Sequence, residues 1–444
     1  MTVNTISKNV ETIRKAEKSL AEAFEQIDEI SLSNQRRVLQ AFKNNRLSEI
    51  HFAERTGYGL GDPGREVIDN IYAEVMQAES TAVRLQFVSG THAIACALFG
   101  NLRAGDRMVS LTGRPYDTLQ PVIGLSNPQK SNSSIPHQQS LIGSGVLYEE
   151  IKFSDAMNLI RDQTSENYPN SCELTVKQLS SSLKHISSLL EKPTKLIHIQ
   201  KAPGYDSERR AITNEEINRL CQIVRRYRSD VIIMVDNCYG EFVELNEPPA
   251  CGADLIAGSL IKNPGGGLAI TGGYIAGKSD LVEQALVRVT APGLKGQLGL
   301  LYNQNRLILQ GLFMAPAIVA NAVKGAMLSA LVLQEAGYLV NPKPFIKRSD
   351  IVQTIEFGTA EKLVRFCQAV QASSPVDSYV IPEPGDMPGY TDQVIMCAGT
   401  FHQGATIELS ADGPIRPPFR AYLQGGLTYQ HVKCMLENVL EYLN

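Results

Sequence analysis

Residues 231–262 read VIIMVDNCYGEFVELNEPPACGADLIAGSLIK. Two short apolar runs, VIIMV and LIAGSLI, each lead into an ionisable residue, Asp236 and Lys262. A run of this length bounded by turn residues reads as a strand buried on both faces. A charge at the end of such a strand costs free energy unless something compensates it. In open parallel sheets, ligands bind outside the C-terminal strand ends. Asp236 and Lys262 are therefore expected to face a site, with the NPGGG turn that follows Lys262 (263–267) beside it.

Outward from this stretch the pattern repeats. KLIHIQ (195–200) reads as a further strand. The helix after it opens on Thr213, with Glu216 three residues on as a capping box, and turns Ile217, Leu220, Val224 and Tyr227 inward. LQFVS (85–89) and MVSLT (108–112) read as strands around a small-residue helix, and apolar spacing predicts a helix over 174–191. SNPQKSNSS (126–134) has no apolar residue and reads as an exposed loop. Strands alternating with amphipathic helices predict an α/β fold with a mainly parallel sheet in a large domain over 51–300. Residues 1–50 are expected to form an N-terminal helical arm. Residues 301–444 are expected to form a smaller α+β C-terminal domain, with strands at SYVIP, VIMCAGT and ATIELS and a last helix from Thr428.

Composition narrows the function. The 444 residues are 43% hydrophobic and 20% charged, with 42 basic and 46 acidic side chains. That balance speaks against a nucleic-acid or anionic-membrane partner. The apolar span 311–333 holds Asn321 and Lys324. A lysine at a bilayer centre costs about 2.5–3.5 kcal/mol, so a buried helix is expected. The N-terminus lacks the apolar core of a signal peptide. The eight cysteines are scattered without a CxxC, which predicts no metal ribbon and a reducing, cytoplasmic setting.

Three motif matches compete for the function. GGYIAGKS (272–279) fits the phosphate-loop pattern with Lys278 and Ser279. Its interior reads as a strand, and the aspartate-ending strand VIIMVD precedes it instead of following. A nucleotide-binding protein using Lys278 stays as the alternative. SLIK (259–262) fits SxxK, but no KTG accompanies it. GLGDPG (59–64) fits GxGxxG without a strand before it.

A further set of residues fits one cofactor, pyridoxal phosphate. A buried lysine with a lowered pKa is the residue that adds to an aldehyde. The cofactor also needs a carboxylate at its pyridine nitrogen, an anion nest for its phosphate, an aromatic face, and an arginine for the substrate carboxylate. Asp236 supplies the first, and Tyr239 lies within reach of the ring hydroxyl. Ser89, Gly90 and Thr91 open a helix in SGTHAIACALFG. Ser259 can add a hydroxyl, and Tyr116 in RPYDT can stack. His92 reads as a core histidine or a pocket wall. Each residue alone has an ordinary structural reading as ion pair, cap or packing group; their joint occurrence in this order favours the cofactor.

SGTHA, GRPYDT, VDNCYGEF, GSLIKNPGGG, ELSADGPIRPPF and YLQGGLTYQHV resemble the methionine gamma-lyase or "aluminium resistance protein" family. That family is a branch of the fold-type-I pyridoxal-phosphate enzymes related to cystathionine beta-lyase. The resemblance spans about residues 50–444. It implies Lys262 as the Schiff-base lysine, Asp236 as the pyridine partner, Ser89–Thr91 as the phosphate cup and Tyr116 as the stacking ring. It also implies that Tyr58 reaches a neighbouring subunit's phosphate, in a homodimer or dimer of dimers with the site at the interface. Arg416 is the choice for the substrate carboxylate, with Arg420 as competitor. The implied activity is carbon–sulfur lysis of a cystathionine- or methionine-like amino acid by β- or γ-elimination; a catalytically silent protein of the same fold is the other outcome. KAPGY (201–205) and Gln297 depart from the family pattern and bear on substrate choice.

Overall fold

The fold is seen in a computed structural model that describes residues 3–58, 61–125, 139–162, 188, 191–206, 208–294, 296 and 298–443. The expected helix 174–191 lies almost wholly outside the described residues, and the loop 126–134 and Gln297 lie wholly outside them.

Among the described residues, seven strands form the larger sheet: β1 (Ser80–Arg84), β2 (Arg107–Ser110), β3 (Leu147–Glu150), β4 (Leu196–Gln200), β5 (Ile232–Asp236), β6 (Leu255–Ser259) and β7 (Gly273–Gly277). Their order is β1-β7-β6-β5-β4-β2-β3. β3, β2, β4, β5 and β6 are parallel, while β7 runs against both β6 and β1. Every residue of β4, β5 and β6 is buried, which is what an unbroken apolar strand needs on both faces. Alternation divides the side chains between two cores. Ile197, Ile199, Ile233, Val235 and Ile256 pack with the helix Asn214–Tyr227. Leu196, Ile232, Met234, Leu255 and Ala257 pack with the helices Gly90–Asn101 and Ser279–Leu286. The register sets Gln200, Asp236 and Ala257 level across β4, β5 and β6, so the polar strand ends emerge together.

Local chemistry sets the helix starts. Asp62 accepts from the Gly64 and Arg65 amides at 3.0 and 3.1 Å, and Pro63 opens the helix Pro63–Val75. Within GLGDPG, the described residues Asp62, Pro63 and Gly64 are thus a helix start. Thr213 and Glu216 form the expected capping box.

Three strand expectations are corrected. LQFVS is a turn: β1 stops at Arg84, opposite Gly273, and Phe87 lies over the sheet, where a Cβ on Gly273 would stand 3.1 Å from it. ATIEL (405–409) lies outside sheet pairing, and only Ser410 joins a strand. The Ile407 amide donates to the Ile261 carbonyl at 3.2 Å, which carries Ala405 over Lys262. SYVIP also forms no strand; Tyr379 and Ile381 are exposed and have no neighbouring strand to bury them.

The smaller sheet joins β8 (Leu339–Asn341), β9 (Val352–Glu356), β10 (Val394–Cys397), β11 (Ser410–Pro414) and β12 (Arg420–Gln424), all antiparallel, in the order β10-β11-β12-β9-β8. The helix Asn305–Glu335, which contains the apolar span, packs against β8, β9 and β12 and against the short helix Asn263–Gly265. By length and composition it suffices to cross a membrane, yet 83% of its most apolar window is buried in the protein. Lys324 pairs with Asp28 at 2.6 Å and the Asn321 amide donates to the Leu427 carbonyl at 3.1 Å, so both polar residues have partners. This helix also explains one glycine after Lys262. Gly266 has φ +52°, and a Cβ there would lie 2.2 Å from the Gly311 carbonyl oxygen.

The N-terminal helices Val3–Ser19 and Ala21–Asn44 bury Ile13, Ala16, Leu20, Val38 and Ala41. The Asn34 amide donates to the Phe242 carbonyl at 2.8 Å, and Lys433 pairs with Glu17 at 2.9 Å. The arm is therefore packed against the rest of the chain.

Candidate active site

A cavity of about 470 Å³ opens beyond the C-terminal ends of β4, β5 and β6, with β11 and β12 contributing to its wall. Ser89, Gly90, Thr91, Tyr116, Asp236, Tyr239, Ser259 and Lys262 all line it.

Lys262 follows β6, where the backbone turns into the short helix Asn263–Gly265. Its Nζ donates to the Tyr239 hydroxyl at 2.5 Å and to the Ala405 carbonyl at 2.9 Å. Nζ also stands 3.9 Å from the Tyr239 ring centre, a cation–π distance. Burial lowers the lysine pKa, against the opposing pull of Cys238, Asp412, Glu241 and Asp236. Tyr239 itself has φ +70°. That backbone is costly for a non-glycine residue, and it is held where it sets the hydroxyl against Nζ.

Asp236 ends β5 with 3% of its surface exposed. Its carboxylate accepts from the Cys238 amide at 3.1 Å and makes no ion pair among the described residues. Burial raises its pKa to about 6, moderated by Cys238 and then by Lys262 and Arg209. A cationic ring nitrogen brought against this carboxylate would compensate it, so the residue fits the cofactor expectation.

The helix Gly90–Asn101 points its N-terminus at the cavity. Ser89 caps it, accepting from the His92 amide at 3.1 Å. Helix geometry leaves the other first-turn amides without intrahelical acceptors, which makes an anion-binding end. The helix end and strand end meet closely: a Cβ on Gly90 would lie 3.0 Å from Cβ of Ser259. Tyr116 is fixed by two bonds. Its amide donates to Gln200 Oε1 at 2.8 Å, and its hydroxyl shares a hydrogen bond with Thr91 at 2.9 Å.

Other expected residues lie elsewhere. Tyr58 is 82% exposed and does not line the cavity. Arg416 lines a neighbouring pocket that shares Tyr116, Tyr205 and Tyr422 with the cavity. It pairs with Asp392 at 2.8 Å and donates to the Tyr205 carbonyl at 3.2 Å. Arg420 lines that same pocket and pairs with Glu356 at 3.0 Å. His92 accepts from the Val88 amide at 3.3 Å and packs edge-on to Phe87, a structural role.

The nucleotide alternative meets a geometric objection. YIA lies inside β7, and because β7 is antiparallel, Lys278 emerges at the end of the sheet opposite the cavity. There it pairs with Asp254 at 2.8 Å. Lys278→Ala is expected to cost under about 1 kcal/mol of stability. Denaturant unfolding measures that cost; ATP binding seen by calorimetric titration in the parent and lost in this variant would reinstate the phosphate loop. Among the described residues no group of three or more histidine, cysteine or acidic side chains is placed to hold a metal.

Sequence reasoning missed part of the wall: Gln200, Tyr205, Tyr390, Asp412, Tyr422 and Gln424. Gln200 carried a readable signal, since it ends an apolar strand as Asp236 does. The others come from the small sheet and loops, where only packing of one sheet against the other brings them to the site.

Known proteins share this architecture. The uncharacterised Bacillus subtilis protein YnbB is 44% identical over 422 residues, covering 95% of this chain and 93% of that one. The structure of a carbon-sulfur lyase involved in aluminium resistance from Clostridium novyi NT is 42% identical, covers 99% of this chain and 96% of its own, and superposes with TM-score 0.85. Yeast cystathionine gamma-lyase, 15% identical with TM-score 0.57 over 91% of this chain and 98% of its own, shares the fold. The arrangement is the fold-type-I architecture of pyridoxal-phosphate enzymes. The sequence family described as methionine gamma-lyase matches residues 9–444, and the chain belongs to that family.

Proposed function

We propose that this chain binds pyridoxal phosphate and acts as a carbon–sulfur lyase on a cystathionine- or methionine-like amino acid, by β- or γ-elimination. One observation carries the reading: a half-buried amine, Lys262, and a buried carboxylate with no ion pair among the described residues, Asp236, share one cavity under a helix N-terminus.

Lys262 would hold the cofactor's aldehyde carbon and Asp236 its ring nitrogen. Ser89, Gly90, Thr91 and Ser259 would hold its phosphate, Tyr116 its ring face and Tyr239 its ring hydroxyl. Bound there, pyridoxal phosphate supplies a protonated ring that takes up the electrons left when an α-proton departs. The protein's own groups do the rest. Burial favours the neutral form of Lys262, so Nζ can accept the substrate's α-proton. The Tyr239 hydroxyl and the Ala405 carbonyl aim that nitrogen. Asp236 stays ionised opposite a cation, and the enclosing walls limit water. Loss of a thiolate and hydrolysis of the remainder give a thiol, a keto acid and ammonia.

Tyr58 is assigned to the neighbouring subunit's phosphate in a homodimer or dimer of dimers. Two apolar residues at the cavity, Val88 and Ile270, are 73% and 49% exposed, which supports a second subunit covering them. Arg416 is assigned to the substrate carboxylate. Its pair with Asp392 is part exposed and therefore weak, so a substrate carboxylate can replace Asp392 at little cost. Arg416→Ala is expected to raise KM about tenfold or more, and Arg420→Ala to raise it much less; steady-state kinetics checks the order. Keto acid and thiol release from cystathionine, methionine and S-alkyl cysteines tests the activity. No release from any of them overturns the lyase reading.

A further inference from the structure

Tyr239, whose hydroxyl meets Lys262 Nζ, stands in a stretch of turns, 237–247, between β5 and the short helix Pro248–Cys251. Two residues of this stretch hold left-handed backbone, Tyr239 with φ +70° and Phe242 with φ +63°. Residues other than glycine disfavour that conformation, so surrounding contacts must impose it. The turn also borders the lysine on its other side: the Asn263 side chain, next in sequence to Lys262, donates to the Glu241 carbonyl at 2.9 Å.

The imposing contacts form layers. Glu247 is 1% exposed. One of its carboxylate oxygens accepts from the Asn237 side chain at 3.0 Å and the other from the Phe242 amide at 2.9 Å, so it brackets Tyr239 from both directions along the chain. Gly240 lies against the buried stem of Lys201, where a Cβ would stand 2.5 Å from Cδ, and Lys201 pairs with Glu244 at 3.3 Å. The lysine of KAPGY thus supports the same turn. The outer layer is the N-terminal helix Ala21–Asn44. Its Arg37 pairs with Glu247 at 3.5 Å and donates to the Leu245 carbonyl. Its Asn34, one turn earlier and buried, donates to the Phe242 and Glu244 carbonyls at 2.8 and 3.2 Å. Val38 and Ala41 of that helix pack in the apolar core. The apolar contacts hold the helix, and the polar ones hold the turn.

We propose that Arg37 and Asn34 are positioning residues, which through Glu247 and the turn 237–247 set the Tyr239 hydroxyl against Lys262 Nζ. This rests on the lyase reading. A displacement of about 1 Å at a reacting group can cost about 10²-fold in rate, so a loosened turn lowers turnover and leaves substrate affinity nearly unchanged.

The test is Arg37→Met in the full chain, which keeps most of the stem and removes the ion pair. In the cofactor-loaded enzyme, kcat for the sulfur amino acid that the parent turns over is expected to fall about tenfold, with KM within about twofold. In a Tyr239→Phe background the same change is expected to move kcat less than about twofold, because the hydroxyl it positions is gone. In the cofactor-free protein, hydrogen exchange read by mass spectrometry is expected to show the amides of 237–247 exchanging about tenfold faster, with those of β5 and β6 unchanged. Arg37→Lys keeps a charge against Glu247 and gives up the guanidinium fork. Its kcat is expected about threefold below the parent's, and it carries the same cycle should the methionine form fail to fold. Unchanged kcat overturns the proposal and leaves the lyase reading standing. An equal fall in kcat with and without Tyr239→Phe also overturns it, since a purely structural arm weakens both alike. A parent that turns over no sulfur amino acid overturns the lyase reading; the exchange measurement then decides the turn by itself, and amides no faster than the parent's overturn this inference as well.

Discussion

Lys262→Ala is expected to fold, to stay colourless when mixed with pyridoxal phosphate, and to release keto acid at least about 10³-fold more slowly. Folding should survive because the side chain lines a cavity and forms no ion pair among the described residues. Removing it leaves the Tyr239 hydroxyl and the Ala405 carbonyl without their donor. Both face the cavity, where water can replace the amine. The loss of colour follows because a covalent bond to the aldehyde needs an amine at this atom. Lys262→Arg sharpens the argument. A guanidinium keeps the charge and can still donate to Tyr239, but it does not give up its proton. That variant should be as colourless and as inactive as the alanine form, which separates the loss of the nucleophile from the loss of the charge. An absorbance spectrum and circular dichroism suffice as measurements. A visible band retained by a folded Lys262→Ala protein removes the lysine from the chemistry.

Much of this site was legible before any coordinates, for a physical reason. Asp236 and Lys262 end strands of unbroken apolar sequence, and a parallel sheet brings such ends to one edge. Ser89, Gly90 and Thr91 were readable because a cap followed by small residues marks a helix start. What failed depended on contacts distant in sequence. LQFVS has strand composition, yet pairing with β7 ends at Arg84. ATIELS alternates like a strand, but its backbone bonds to Ile261 beside Lys262. Asp412 sat in plain view within ADGPIRPPF, and no local pattern marks a carboxylate as facing a cavity formed by another part of the chain. Arg416 was chosen by type; that Asp392 already holds it is a tertiary fact.

Asp236→Asn is expected to act in opposite directions on the two forms of the protein. With cofactor it should weaken binding and slow turnover by about 10²-fold or more, because a fixed charge that stabilises the protonated ring is lost. Without cofactor it should stabilise the fold at alkaline pH. Burial raises the Asp236 pKa from 3.8 to about 6. Between those pH values the folded chain keeps a proton that the unfolded chain has released, so stability falls as pH rises through this window. At about 1.4 kcal/mol per pKa unit the loss above pH 6 is at most about 3 kcal/mol. Asp412, raised to about 6, and Glu241, raised to about 8, have the same sign. The cofactor-free chain should therefore still lose stability towards pH 8 in the variant, and the difference between variant and parent isolates position 236. Denaturant unfolding at pH 5 and pH 8, with and without pyridoxal phosphate, measures both arms. A carboxylate that costs stability in the empty site and supports the ring when the site is filled is placed for function at the expense of the fold. Unchanged cofactor affinity and turnover in Asp236→Asn would refute that role. An unchanged pH profile in the cofactor-free form would show that the carboxylate is already compensated by the protein alone.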